Sequence, residues 1–419
     1  MRMNKQKKDL VPELRFPEFK EKMPWTKLKI GKHLKESRIK GSTGDRAKKL
    51  TVKLWGNGVY AKDEGLKGSE STQYYLRSSG QFIYSKLDFL NQAFGVVPEY
   101  LNGYESTVDL PCFDVSNELD VRFLLEYVQR KDFYKKFGEI ADGGRKAKRI
   151  QVETFLGFPI LIPKIEEQQK IADCLASIDE LITLHTQKFD ALKTYKKGLM
   201  HQIFPAEGKT VPRLRFPEFR DNGEWIVTTI GSIGSISSGG TPSRTVSEYW
   251  NGNIPWVSTA LIDFNEIQET NESITQKGLD NSSAKLFPVG TILMAMYGQG
   301  KTRGKVAKLV IKASINQACA AIKLKKGMNT EFVFQNLAGR YDEIRRISNS
   351  GGQENLSAGL IKNIPFTHPV IGSGEQERIA NFMASIDEII LSEKEKVESL
   401  KKHKKGLIQK LFPIMDDTL

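Results

Sequence analysis

The sequence predicts an α+β fold: two mixed α/β globules separated by two long helices that form an antiparallel coiled coil, with the halves related by a pseudo-twofold internal repeat. Three observations predict it. "LRFPEFK" at Leu14–Lys20 returns as "LRFPEFR" at Leu214–Arg220, with Val-Pro before each copy and Trp25 and Trp225 after it at the same offset. Residues 167–205 and 375–413 align without a gap at an offset of 208 and agree at about half their positions. Within both segments, apolar residues recur on alternating steps of four and three. A repeat at this scale decides architecture before any single motif does.

In chain order the reading gives an N-terminal arm (1–24), a first globule (25–163), a central helix (164–206), a linker arm (207–224), a second globule (225–370) and a C-terminal helix (371–419). The "LRFPEF" arms read either as part of the duplicated frame, packing near the helix ends, or as linker turns.

In the central helix the seam runs through Ile171, Leu175, Ile178, Ile182, Phe189, Leu192 and Leu199, with His185 and Lys196 on the remaining steps. In the C-terminal helix it runs through Ile379, Met383, Ile386, Ile390, Val397, Leu400 and Leu407, with Glu393 and Lys404 at the equivalent steps. A 3.5-residue period held over about four heptads marks a coiled-coil seam, and each helix should run about 55 Å. Acids at the start (Glu166, Glu167; Glu375, Glu377) and lysines toward the end (Lys193, Lys196, Lys197; Lys401, Lys402, Lys404, Lys405) suit the helix dipole; a DNA contact is the other reading of the lysines. Each helix stops at "FP", since proline forbids continuation. Gly198 and Gly406 share a register position, which fits either a close helix crossing or a fraying end.

The globules show short β-like runs broken by glycine and polar turns: "GQFIYSKLDFL" and "STVDLPCFDV" in the first, "IPWVSTALI", "VGTILMAMYG" and "KVAKLVIKASINQACAAIKL" in the second. Each adds a helix, "DVRFLLEYVQRKDFYKKF" and "NTEFVFQNLAGRYDEIRRIS", and each closes on a proline pair, Pro159 with Pro163 and Pro365 with Pro369. They read as two globules of one ancestry whose contents have diverged.

The 419 residues carry 63 Lys and Arg against 50 Asp and Glu, a net charge of +13. The excess is spread along the chain, which suggests a polyanionic partner such as nucleic acid, or a basic solvated surface. Cys112, Cys174 and Cys319 lie far apart without CxxC spacing, as expected of reduced thiols in a cytoplasmic protein. A basic start followed by "DLVPELRFPEF" is no signal peptide, and no apolar run is long enough to span a membrane.

Tempting chemistry reads as absent. "AMYGQGKT", Ala295–Thr302, fits a permissive phosphate-loop pattern, but "RGKVAKLVIKAS" follows it, a β-rich run that reads as a hairpin return where a phosphate loop must open a helix. The Asn/Asp-Pro-Pro-aromatic tetrapeptide of amino-methylating enzymes does not occur. The five histidines are scattered without HxxxH or HExxH spacing, so no metal site is expected. "IDE" at Ile178–Glu180 and Ile386–Glu388 reads as a helix-surface pair, not a nuclease centre.

"SGGTPS" (Ser238–Ser243), "IPWVSTALI" (Ile254–Ile262), "GKVAKL" (Gly304–Leu309), "NSGGQENLSAGLIKNIPF" (Asn349–Phe366) and the duplicated "EQ..IA...ASIDE.I" and "KKGL....FP" blocks together resemble the specificity subunit of a type I restriction-modification enzyme over essentially the full chain. The first globule matches less clearly, as a variable target recognition domain would. The resemblance implies a non-catalytic subunit in which each recognition domain binds one half-site of an asymmetric bipartite site on double-stranded DNA. It implies docking of two modification subunits that methylate adenine with S-adenosylmethionine, and two restriction subunits that use ATP and Mg²⁺. On this reading the chain itself binds no cofactor and meets no membrane. A stand-alone phosphate-loop enzyme and a coiled-coil adaptor that never meets DNA remain the alternatives.

Candidate DNA contacts come from polar, glycine-flanked stretches and helix ends. In the first globule they are Arg46, Lys48, Lys49, Arg77, Lys86, Arg145, Lys146, Lys148 and Arg149; in the second, Arg244, Lys301, Arg303, Arg345, Arg346, Asn349 and Gln353. Lys and Arg on phosphates mainly position, whereas Arg, Asn and Gln on base edges specify.

Overall fold

A computed structural model of the chain describes residues 10–62, 68–139, 149–298, 301–349 and 355–414. The chain forms two compact units, residues 1–185 with 396–419, and residues 186–395.

In the first unit the arm is built around one side chain. Arg15 bonds Glu167 through Nε (2.8 Å) and Nη2 (2.7 Å), and it donates to the carbonyls of Lys22 and Met23, both at 3.0 Å. The Trp25 indole N–H donates to the same carboxylate at 3.2 Å. The Leu14 N–H donates to the Lys410 carbonyl at 2.9 Å, satisfying one of the acceptors left open in the last turn of a helix. The arm therefore joins the start of one long helix to the end of the other.

Strand β1 (Thr26–Lys29) then pairs antiparallel with β11 (Pro159–Ile162), so the proline-bounded closing segment returns beside the opening one. Between them β2 (Leu34–Ser37), β3 (Lys40–Thr43), β4 (Leu50–Val52), β5 (Val59–Ala61), β6 (Gln73–Leu76), β7 (Phe82–Tyr84), β8 (Phe94–Val96), β9 (Glu105–Ser106) and β10 (Cys112–Val115) form three small sheets, ordered β2-β10-β7-β8, β3-β6-β9 and β4-β5. The core is aromatic, with Phe82 and Tyr84 each in ring contact with Phe113 and Phe155. Burying each large apolar side chain contributes about 1.5–3 kcal/mol. Ile171, Ala172 and Leu175 of the central helix and Leu411 and Phe412 at the chain's end join this core.

The helix expected at "DVRFLLEYVQRKDFYKKF" is two, Val121–Val128 and Lys131–Gly138, the first capped by the Asp120 carboxylate on the N–H groups of Arg122 and Phe123. The break falls at Arg130, whose guanidinium lies 5.0 Å from the Tyr127 ring centre and 5.1 Å from that of Phe412. It also donates to the Pro413 carbonyl at 3.1 Å. Periodicity alone missed the break because the apolar rhythm continues across it.

The second unit repeats the frame. Arg215 bonds Glu375 twice at 2.8 Å, the Trp225 indole N–H donates to Glu375 at 3.2 Å, and the Leu214 N–H donates to the Gln202 carbonyl at 2.9 Å. The arms are thus part of the duplicated frame, and the linker reading is set aside. Strand β12 (Ile226–Thr229) pairs antiparallel with β22 (Pro365–His368), as β1 does with β11.

The contents differ. A five-stranded sheet orders β13 (Gly234–Ser238), β21 (Cys319–Leu324), β18 (Ile292–Ala295), β19 (Val306–Leu309) and β15 (Asn265–Ile267); a four-stranded sheet orders β16 (Glu272–Ile274), β14 (Trp250–Val257), β20 (Ala313–Ile315) and β17 (Leu286–Phe287). Here too the expected helix is two, Thr330–Gly339 and Tyr341–Asn349, broken at an arginine, Arg340, which donates to the Pro365 carbonyl at 2.8 Å.

The long helices span Ile165–Ile203 and Glu375–Leu411. Of the seam residues, Ile171, Leu175, Ile178, Leu199, Ile379, Met383, Ile386 and Val397 are buried, and Ile182, Phe189, Leu192, Ile390, Leu400 and Leu407 are half-buried. The pairing is antiparallel within each unit. In the second, Lys188 meets Glu393 and Lys196 meets Asp387 at 2.6 Å; in the first, Lys404 meets Asp179 at 2.7 Å and Glu126 at 2.8 Å. Lys196 and Lys404 are therefore not simply dipole partners, nor are Asp179 and Asp387 a plain surface pair; both sets tie helix to helix. At Gly198 and Gly406 a Cβ would meet nothing within 4 Å among the described residues of its own unit.

Candidate nucleic-acid interface

The candidate cations divide by burial. Arg77 is 2% exposed. It donates to Ser106 Oγ at 2.7 Å, to the Ser37 carbonyl at 2.8 Å and to the Leu110 carbonyl at 3.3 Å, and desolvation pulls its pKa below the ordinary arginine value. It ties strand ends together and cannot reach a phosphate, which corrects its assignment as a DNA contact. Lys86 and Arg303 are also buried. Neither is an exposed surface cation in this structure.

Others lie at the surface. Arg46 is exposed on the turn after β3 and pairs with Asp45 at 3.5 Å; Lys48 is exposed beside it, and Lys49 places its ammonium 5.8 Å from the Tyr74 ring centre. Arg149 is exposed, 3.7 Å from Asp109. Arg145, Lys146, Lys148 and Gln353 lie outside the described residues, as does the side chain of Asn349.

In the second unit the glycine-rich turn is a hairpin. Strands β18 and β19 pair antiparallel on either side of it, Ile292 with Lys308 and Met294 with Val306. A strand, not a helix, follows Lys301, so the segment lacks the helix N-terminus that holds phosphates in a nucleotide loop, and it does not fit ATP. Instead the turn meets the Tyr341–Asn349 helix. The Tyr341 hydroxyl donates to the Lys301 carbonyl, and Arg345 donates to that hydroxyl at 2.8 Å. Phe264, in the left-handed region at φ 55°, stands edge-on to Tyr341 at 5.2 Å. Lys301 and Arg346 are exposed here, the latter 3.9 Å from Glu207.

Arg244 is exposed but engaged. Its guanidinium lies 3.7 Å from the Trp250 ring centre and 5.0 Å from that of Trp256, and it is paired with Glu272. Hydrogen bonding between the two raises the arginine pKa and lowers that of the carboxyl. The sequence reading missed the aromatic members, Phe264, Tyr341 and Trp250. Their signal was available as exposed-type aromatics beside glycine and polar turns, but one-dimensional spacing does not show which of them share a face.

Burial pushes the Cys112 and Cys319 thiols up to about 12, so neither serves as a thiolate nucleophile at neutral pH. Two unlike sets of sheets thus stand on one repeated frame. Residues 101–194 and 222–402 match the family described as the type I restriction modification DNA specificity domain. The chain belongs to that family.

Among relatives, the Methanocaldococcus jannaschii type I restriction enzyme MjaIX specificity subunit is 28% identical over 184 residues, covering 43% of this chain and 41% of that protein. The match thus spans less than half of that relative. The MjaVIII specificity subunit of the same organism is 22% identical over 414 residues, 95% of this chain and 93% of that one. The crystal structure of a type I restriction-modification S subunit from M. genitalium shares the fold, with a TM-score of 0.60 over 97% of this chain and all of that one, at 15% identity.

Proposed function

We propose that the chain is the non-catalytic DNA-recognition subunit of a type I restriction-modification enzyme, and that its two units read the two parts of one asymmetric, interrupted duplex target. The observation that carries this reading is the pairing of an identical frame with different contents. Arg15–Glu167–Trp25 and Arg215–Glu375–Trp225 are the same clamp, while the sheets they support differ in strand number and order. Two copies of one reader recognise a palindrome; two unlike readers in one polypeptide recognise an asymmetric site. The helix pair supplies the spacer and the docking surface for two modification subunits, through which two restriction subunits join. S-adenosylmethionine, ATP and Mg²⁺ are then used on those partners.

Co-expression with a cognate modification subunit, followed by genome-wide mapping of methylated adenines, tests the reading. One bipartite, non-palindromic motif is expected, and a heptad inserted into each long helix should change its gap while leaving both halves intact. A palindromic motif, or no motif, would overturn it. An adaptor that never meets DNA predicts no footprint in any assembly.

A further inference from the structure

Residues 48–62, "KKLTVKLWGNGVYAK", contain four lysines and no acid. They form the β4–β5 ribbon, in which Leu50 faces Ala61, Thr51 faces Tyr60 and Val52 faces Val59. Side chains alternate across a strand, so the two faces separate cleanly. Leu50, Val52 and Val59 are buried in a small core with Ile83, Val97 and Leu101. The other face presents Thr51, Lys53 and Tyr60, and the same alternation puts Lys49 and Lys62 on it, joined by the bond from the Lys62 N–H to the Lys49 carbonyl at 2.8 Å.

At the tip, Trp55 (φ 60°) and Gly56 (φ 68°) are both left-handed. The turn is closed by Asn57, whose side-chain amide donates to the Leu54 carbonyl at 2.8 Å. Consecutive positive φ angles suit Asn-Gly; a bulky side chain there is strained. The strain is held from outside the hairpin. The Trp55 N–H donates to the Asn91 carbonyl at 2.7 Å and the Gly56 N–H to the Gln92 carbonyl at 3.0 Å, while the Tyr100 hydroxyl donates to the Val59 carbonyl at 3.2 Å. Trp55 is nevertheless 60% exposed. The indole therefore occupies the position where glycine would be least costly, without being buried in return. Strain maintained by surrounding structure at an exposed aromatic points to a contact outside the chain.

We propose that the β4–β5 ribbon is the element of the first unit that enters a DNA groove, and that Trp55 is a base-contacting, specificity-determining residue. The proposal rests on the DNA-recognition reading above and deepens it. A two-stranded ribbon fits the major groove, its lysines face phosphates on either side, and the indole at the tip offers an apolar face to a thymine methyl or an unstacked base. Of these residues, Lys48 and Lys49 stand among the sequence-derived candidates; the aromatic at the tip does not.

The test uses the full chain assembled with its modification subunit, on duplexes carrying the mapped target with each half scrambled in turn. Trp55→Gly removes both the indole and the strain. Its melting temperature is expected to equal or exceed wild type, and the modification subunit should co-purify. Affinity for the intact target should fall about ten- to a hundredfold, the penalty for scrambling one half should shrink by the same factor, and the other half's penalty should stay. Trp55→Phe should recover part of the loss. Unchanged affinity with both penalties intact overturns the proposal, and so does loss of the modification subunit, which would make the ribbon a protein-docking element. A wild-type assembly with no sequence preference would instead refute the DNA-recognition reading itself.

Discussion

Asp179 and Lys404 belong to different copies of one duplicated segment, and their side chains meet at 2.7 Å. The reciprocal pair, Asp387 with Lys196 at 2.6 Å, repeats the relationship in the second unit. Each copy thus carries both halves of a lock that closes only against the other copy. This gives a physical reason for "IDE" and "KKGL" to be duplicated together: neither block has its partner within its own helix.

The two locks should differ in strength. Lys404 also bonds Glu126, and the Glu126 side chain is 14% exposed against 40% for Asp387. Burial pulls the Lys404 ammonium down, but Coulombic attraction to Glu126 and the bonds to Asp179 and Glu126 outweigh it, so its pKa lies above the ordinary value. Burial holds the Glu126 carboxyl above its usual range although Lys404 opposes this. Both directions fit a charged lysine shared by two carboxylates, of which Glu126 is the less compensated. Lys404→Met leaves that carboxylate buried alone and should cost about 3–5 kcal/mol. Lys196→Met should cost about 1–3 kcal/mol, because Asp387 keeps a 2.6 Å bond from Gln335. Urea unfolding measures both. In the Lys404→Met chain the folded state takes up a proton on Glu126 before the unfolded state does. Stability should therefore rise as pH falls from 7 through the raised carboxyl pKa, levelling off below the unfolded value of about 4.3. Adding Glu126→Gln should abolish that rise and recover most of the loss.

The arms make a second prediction. The Arg15 and Glu167 side chains are 5% and 3% exposed, and those of Arg215 and Glu375 are 8% and 1%. Arg15→Met and Arg215→Met should each cost about 3–5 kcal/mol by stranding a buried carboxylate. Trp25→Phe, which removes the indole donor and part of a fully buried ring packed on Phe123 and Phe412, should cost about 1–3 kcal/mol. Hydrogen exchange at Leu14 and Leu214 should accelerate with the arginine substitutions. Effects within about 0.5 kcal/mol, as for ordinary surface positions, would return the arms to the status of linkers.

The frame was legible in the sequence because it is written twice and depends on period: the seam, the proline stops and the clamp residues all stand at fixed offsets. The candidate interface was much less so. Arg77 and Lys301 look alike in one dimension, both basic and near turns, yet Arg77 is enclosed by the Ser37 and Leu110 carbonyls while Lys301 is exposed. Which of two such residues faces inward is decided by strand pairings between distant segments, such as β3 with β6 and β6 with β9. The strained aromatics Trp55 and Phe264 were likewise hidden, since backbone handedness at a non-glycine residue leaves no reliable compositional mark.

The glycines at Gly198 and Gly406 offer a third test. Both lie inside long helices, and a Cβ at either would meet nothing within 4 Å. Alanine should stabilise the isolated chain by about 0.8–1 kcal/mol at each site through helix propensity, read as a higher urea midpoint. If either substitution also weakens assembly with the modification subunit, that subunit's backbone approaches the helix at that glycine, and the space left open here is filled in the complex.

The fourth prediction separates the two kinds of arginine and lysine on one assay. Arg77 makes three hydrogen bonds while almost wholly buried, so Arg77→Ala should leave the Ser37 carbonyl and the Ser106 hydroxyl short of a donor, while the Leu110 carbonyl keeps its 2.7 Å bond from that hydroxyl, and cost about 3 kcal/mol. The folded fraction should keep the wild-type sequence preference and the wild-type salt dependence of DNA binding. Lys301 is exposed on the β18–β19 turn, so Lys301→Ala should leave stability within about 0.5 kcal/mol. It should weaken binding to all duplexes alike and lower the slope of log affinity against log salt by about 1, the signature of one lost phosphate contact. If Lys301→Ala left the slope untouched, or if Arg77→Ala lowered the slope without destabilising the chain, then burial would be the wrong criterion for sorting these cations.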